Sequence, residues 1–127
     1  MISIELLNSA DLILREPRYS AAGVWPRAAA LLARQAIETA LVEFWLVRAP
    51  GVEWCSNHAQ LLCLPDYLPD PAVAESAYET WGSLSRICHH HPYELLPTAS
   101  ELRALVDATR RVLAALSGGA GPSTETN

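Results

Sequence analysis

Apolar positions along the chain fall into helical stripes separated by proline-rich breaks. Residues 3–16 place Ile4, Leu7, Leu12 and Leu14 among polar neighbours, the pattern of a short amphipathic helix closed by Pro17. Pro26 suits a first helical turn, and Ala30, Ala33, Ile37, Leu41 and Phe44 then recur at three- and four-residue spacing to about Val47. Leu31, Leu32, Val42 and Trp45 fall on other faces of that helix, and a helix apolar all round belongs at the centre of a bundle or at a subunit interface. Four prolines from Ala49 to Pro71, densest over residues 66–71, leave room only for a short connector helix around Asn57 to Leu64. Asp70 can cap the next helix with Pro71 at its first position. Tyr78, Trp81 and Leu84 carry that helix to about His90, where Pro92 stops it. The last helix opens on the capping box Thr98-Ala99-Ser100-Glu101 and shows Leu102, Leu105, Val106, Val112, Leu113 and Leu116 at helical spacing, with Arg110 and Arg111 at its basic end. No strand pattern of comparable length competes, and there is no internal repeat. The pattern predicts an all-α, up-and-down bundle of four main helices plus a connector helix in one domain spanning residues 1–116, with a disordered tail over residues 117–127.

Composition narrows what such a bundle can do. The 127 residues are half apolar and only 18% charged, which provides one hydrophobic core and excludes a disordered chain. Fourteen acids face nine bases for a net charge of −5, and all nine bases are arginine. A broadly basic nucleic-acid surface is excluded, whereas a small, well-placed group of bidentate arginines is not. The halves sharpen this: residues 1–64 hold six acids and five arginines, and residues 65–127 hold eight and four. No basic segment precedes an apolar one at the start, and no apolar run approaches the roughly 20 residues of a membrane helix, so a soluble, cytoplasmic protein without membrane contact is expected. Cys55, Cys63 and Cys88 are odd in number and lack paired spacing. They are expected to be reduced and mostly buried, forming neither a disulfide framework nor a zinc ribbon. Trp25, Trp45, Trp54 and Trp81 are expected to serve as core or interface anchors, and His58 as a surface or helix-end residue.

Reactive residues concentrate in Ser85-Arg86-Ile87-Cys88-His89-His90-His91-Pro92-Tyr93-Glu94, which holds three of the four histidines. Three readings compete. Imidazoles at a helix C-terminus are favoured by the partial negative charge there, which accounts for one histidine but not three. Histidine and cysteine are good metal ligands, yet adjacent side chains on a helix diverge by about 100°, so His89, His90 and His91 of one chain cannot converge on one ion; a site shared between subunits or with His58 is the form this reading takes. The third pairs Arg86 with a histidine. RNA phosphodiester cleavage needs a base for the 2′-hydroxyl, an acid for the leaving oxygen and a cation for the phosphorane charge, and imidazole and guanidinium supply these without metal or cofactor.

Arg86, four residues, His91, one residue and Tyr93 form an Arg-x4-His-x-Tyr pattern between two predicted helices, preceded by a long helix carrying Ala33-Arg34-Gln35-Ala36-Ile37-Glu38-Thr39-Ala40-Leu41. This resembles the HEPN-domain ribonucleases, especially toxin members that pair with a minimal nucleotidyltransferase antitoxin. The resemblance spans roughly residues 5–116 in helix pattern, and specific residues only in the motif. It implies a HEPN-like bundle, a homodimer joining two motifs in one cleft, and metal-independent endoribonuclease activity on RNA. His91 would be general base or acid, Arg86 would hold the scissile phosphate, and Tyr93 would contact RNA, support His91 or be nucleotidylated by the antitoxin. His89, His90 and Glu94 are supporting or alternative site residues, and Arg103 and Arg110 are candidate RNA-phosphate contacts. Ile87 departs from the polar residue common after the arginine. On a regular helix it is His90 that lies near Arg86, with His91 about 140° away, so the turn before Pro92 must unwind or two subunits must exchange partners. A catalytically silent HEPN-like interaction or nucleotide-binding module, and a metal-binding protein using His89 to His91, are the alternative functions.

Overall fold

The computed structural model describes residues 2–16, 25–89 and 95–119. Five α-helices follow in order: α1 Ile2–Arg15, α2 Trp25–Arg48, α3 Asn57–Cys63, α4 Pro71–Cys88 and α5 Ala99–Gly119, with no strand among the described residues. Local chemistry sets several of these ends. The Asp70 carboxylate accepts from Ala72 N at 3.0 Å with Pro71 opening α4. Thr98 and Glu101 form the reciprocal capping box: Glu101 N donates to Thr98 Oγ1 at 3.0 Å, and Thr98 N donates to Glu101 Oε1 at 2.8 Å.

Helix α2 is central, packing against α1, α4 and α5, and α5 in turn contacts α1 and α4. The α2–α5 pair therefore forms the middle of an all-α bundle, with α1 and α4 on opposite sides of it. Ala29, Ala30, Ala33, Ala36 and Ala40 thin the buried face of α2 so that neighbours approach closely, while Ile37, Leu41, Phe44 and Trp45 fill the core. Each fully buried large side chain removes apolar area worth about 1.5–3 kcal/mol. Trp45 meets Phe44 and Tyr67 edge-on, both at 5.0 Å between centroids. That ties the connector to the core, and Gln60 secures it further by donating through Nε2 to the carbonyls of Cys55 at 2.8 Å and Glu53 at 3.3 Å.

Several expectations change. Helix α1 buries Ser3, Leu7, Ala10 and Leu14, one stripe at helical spacing, which turns Ile4 and Leu12 outward. Cys55 and Cys63 are exposed and only Cys88 is half-buried: α3 gives Gln60 and Leu61 to the interior, Cys63 at its end falls outside that face, and Cys55 precedes the helix. Trp54, in a 3₁₀ turn after α2, is 86% exposed and anchors no core in this chain. Helix α5 continues through Ser117 to Gly119, so these three residues belong to a helix held by buried Leu113 and Leu116 rather than to a tail; residues 120–127 lie outside the described residues. That extension also places Arg110 and Arg111 inside α5, away from its last turn. Among the described residues, no helix is long and apolar enough to cross a membrane.

Candidate functional site

Helix α4 turns Ala74, Ala77, Thr80 and Leu84 inward, which leaves Tyr78, Gly82 and Arg86 in an i, i+4, i+8 row on its outer side. Arg86 occupies the last turn, where a cation complements the helix dipole, and its Nη2 donates to Ser83 Oγ at 3.1 Å. The guanidinium is exposed and borders two hollows. One, of about 420 Å3, is lined by Tyr78, Glu79, Trp81, Gly82, Ser83 and Arg86. The other, of about 520 Å3, lies between α4 and α5, where Ile87, Leu95, Pro97 and Leu105 make an apolar wall beside Arg86 and Glu101. Leu95 is 96% exposed there.

The α4 helix ends at Cys88, two residues earlier than the sequence pattern implies. His89 caps it with φ −104° and ψ 28° while still donating to Ser85 O at 3.1 Å, and its side chain is exposed. His90, His91, Tyr93 and Glu94 lie outside the described residues. Ile87 packs against the core and contributes to the apolar wall.

Across the α2–α4 interface, Trp81 Nε1 donates to Glu38 Oε2 at 3.0 Å. Arg34 Nε lies 3.3 Å from the same oxygen, an ion pair without hydrogen-bond alignment. Burial pushes the Cys88 thiol above its ordinary value; the Arg34 and Arg27 guanidiniums oppose that shift and the Glu38 carboxylate adds to it. Ser85 Oγ is buried with no partner among the described residues. This layer fixes Trp81, and with it the wall beside Gly82.

The other expected contacts lie elsewhere. Arg103 is exposed on α5 and lines neither hollow beside Arg86. Arg110 reaches Asn8 Oδ1 on α1 at 3.5 Å and borders a separate, mostly apolar hollow of about 370 Å3 formed by α1, α2 and α5. Among the described residues no three His, Cys, Asp or Glu side chains are grouped to hold a metal ion. His58 is exposed near the start of α3 and packs its ring on Tyr78 at 5.5 Å. Tyr78, Gly82 and Ser83 were missed by sequence reasoning, although the four-residue spacing of Tyr78, Gly82 and Arg86 could have placed them on one face. No family model, curated protein or solved structure matches the chain.

Proposed function

We propose that the protein is a HEPN-type, metal-independent endoribonuclease acting as a homodimer, the toxin of a toxin–antitoxin or defence pair whose antitoxin is a nucleotidyltransferase, and that it works in the cytoplasm. The observation that carries this reading is the setting of Arg86. Its guanidinium is presented to solvent at the end of α4, tethered by Ser83 and flanked by open hollows, where the chain leaves the helix toward His91. A guanidinium so placed suits a phosphodiester, because it donates in parallel to two phosphate oxygens.

In the proposed reaction, His91 of one subunit takes the 2′-hydroxyl proton and the 2′-oxygen attacks phosphorus. The bond from phosphorus to the 5′-oxygen breaks, and the second subunit's motif histidine returns a proton to that oxygen. The products are a 2′,3′-cyclic phosphate and a 5′-hydroxyl. Arg86 holds the phosphate and offsets the charge gained in the pentacoordinate state. Tyr93 is both an RNA contact and the residue an antitoxin would nucleotidylate. With a net charge of −5, binding rests on few phosphate contacts and weakens with salt.

The test is incubation of pure protein with total RNA in EDTA, comparing wild type with His91→Ala, Arg86→Ala and His90→Ala. Cleavage to cyclic-phosphate ends that disappears in His91→Ala and Arg86→Ala supports the assignment. Cleavage that survives His91→Ala refutes it. Loss of wild-type cleavage on chelation returns the metal reading, and a stable dimer without cleavage returns the silent interaction module.

A further inference from the structure

We propose that the saddle over Gly82 is a nucleobase subsite; the inference rests on the ribonuclease reading for the identity of its ligand. Glycine inside α4 leaves a gap in the outer row between Tyr78 and Arg86. A Cβ placed there would meet only Arg86 Nη1, at 3.7 Å. Tyr78 and Trp81 bring aromatic rings to that gap, with Glu79 and Ser83 as the other lining side chains. Tyr78 is 38% exposed and is braced by its ring contact with His58, while Trp81 is held through its indole nitrogen by Glu38. Supported rings with open surface, beside an exposed guanidinium, are what base stacking next to a bound phosphate requires.

Charge orients the ligand. Glu79 repels phosphate from the Tyr78 end, so the phosphate belongs on Arg86 and the uncharged base on the aromatic end, where the Glu79 carboxylate can accept from base amino groups. The backbone positions of Tyr78 and Arg86 are about 12 Å apart along the helix axis, but Arg86 Nη1 reaches back to 3.7 Å from the Cβ position at Gly82, which brings the guanidinium beside the saddle. A base in a duplex is stacked and paired and cannot enter, which selects an unpaired strand.

The test uses wild-type protein and a short fluorescent 2′-O-methyl oligonucleotide, uncleavable because its 2′-oxygen is blocked, alone or annealed to its complement. Binding is read by fluorescence anisotropy, and folding of each variant by circular dichroism. The single strand is expected to bind more tightly than the duplex. Tyr78→Ala is expected to weaken binding about 5- to 100-fold, with Tyr78→Phe close to wild type. Gly82→Leu, which fills the gap without touching either ring's chemistry, is expected to weaken it similarly. Wild-type-like binding by folded Tyr78→Ala and Gly82→Leu, or no binding by the wild type, overturns the subsite. Cleavage of unmodified RNA is measured in parallel. Cleavage with binding indifferent to Tyr78 and Gly82 removes the subsite alone, whereas binding that depends on them without cleavage supports the subsite and removes the ribonuclease reading alone.

Discussion

Gly82 lies in the interior of an 18-residue helix with no positive φ to require it, so Gly82→Ala should stabilise the fold. Glycine in a helix interior costs about 0.5–1 kcal/mol relative to alanine, because the unfolded glycine backbone has more freedom to lose. Steric cost does not cancel this gain: the added methyl meets only Arg86 Nη1 at 3.7 Å, ordinary van der Waals contact with the movable end of a side chain. For a chain of this size the gain corresponds to a rise in Tm of about 2–4 °C. Thermal unfolding followed by circular dichroism in the helical band measures it. Gly118→Ala is the control: its added methyl meets nothing within 4 Å, but it lies in the last turn of α5 and should gain less. A fall in Tm for Gly82→Ala would refute the reasoning, since it would mean that the methyl strikes something other than a yielding guanidinium. A rise would show that the wild-type glycine forgoes stability, as expected where open space beside Arg86 is needed for a ligand.

Thr98→Ala should cost about 1 kcal/mol by removing the capping oxygen from Glu101 N, with Thr98→Ser near wild type; urea denaturation should show a lower midpoint at unchanged slope. Leu41→Ala, at a fully buried core position, should cost about 2–5 kcal/mol, and a loss under 1 kcal/mol in the same experiment would contradict the packing described. Alkylation followed by mass spectrometry should modify Cys55 and Cys63 well before Cys88, whose thiol is half-buried and held protonated; simultaneous labelling of all three would be incompatible with that burial. Because the folded pKa of Cys88 is raised, its contribution to stability is present below the ordinary thiol value and is lost as pH rises through the folded one. Cys88→Ala should therefore flatten the alkaline limb of the stability profile, and an unchanged limb would contradict the shift.

The helices were legible because their signals are local. Asp70-Pro71 and Thr98 to Glu101 mark starts through side chains within three residues of the backbone groups they satisfy, and the α2 stripe from Ala30 to Phe44 repeats for four turns. Misses came where tertiary context overrides local chemistry. Ser117 to Gly119 are poor helix formers, yet α5 carries them because Leu113 and Leu116 are already packed. Trp54 and the two exposed cysteines look like core residues by type, but the connector buries only one face, and Gln60, a polar residue, is on it. At the site, the place of Arg86 at a helix end followed from Pro92, whereas the Trp81 to Glu38 bond joins residues 43 apart in sequence and no spacing rule reaches it. Similarly, counting arginines could not tell that Arg110 turns to Asn8 on the far side of the bundle.

The packing order of the bundle also sets how it can come apart. Helices α2 and α5 each touch both flanking helices, while α1 and α4 each lean on that pair from outside. Amide hydrogens of α2 and α5 should therefore exchange only when the whole molecule opens, and those of α4 through smaller excursions, fastest at the end that bears Arg86. The candidate site thus belongs to an outer helix whose breathing leaves the central pair closed, so it can adjust to a ligand while the rest of the chain remains folded.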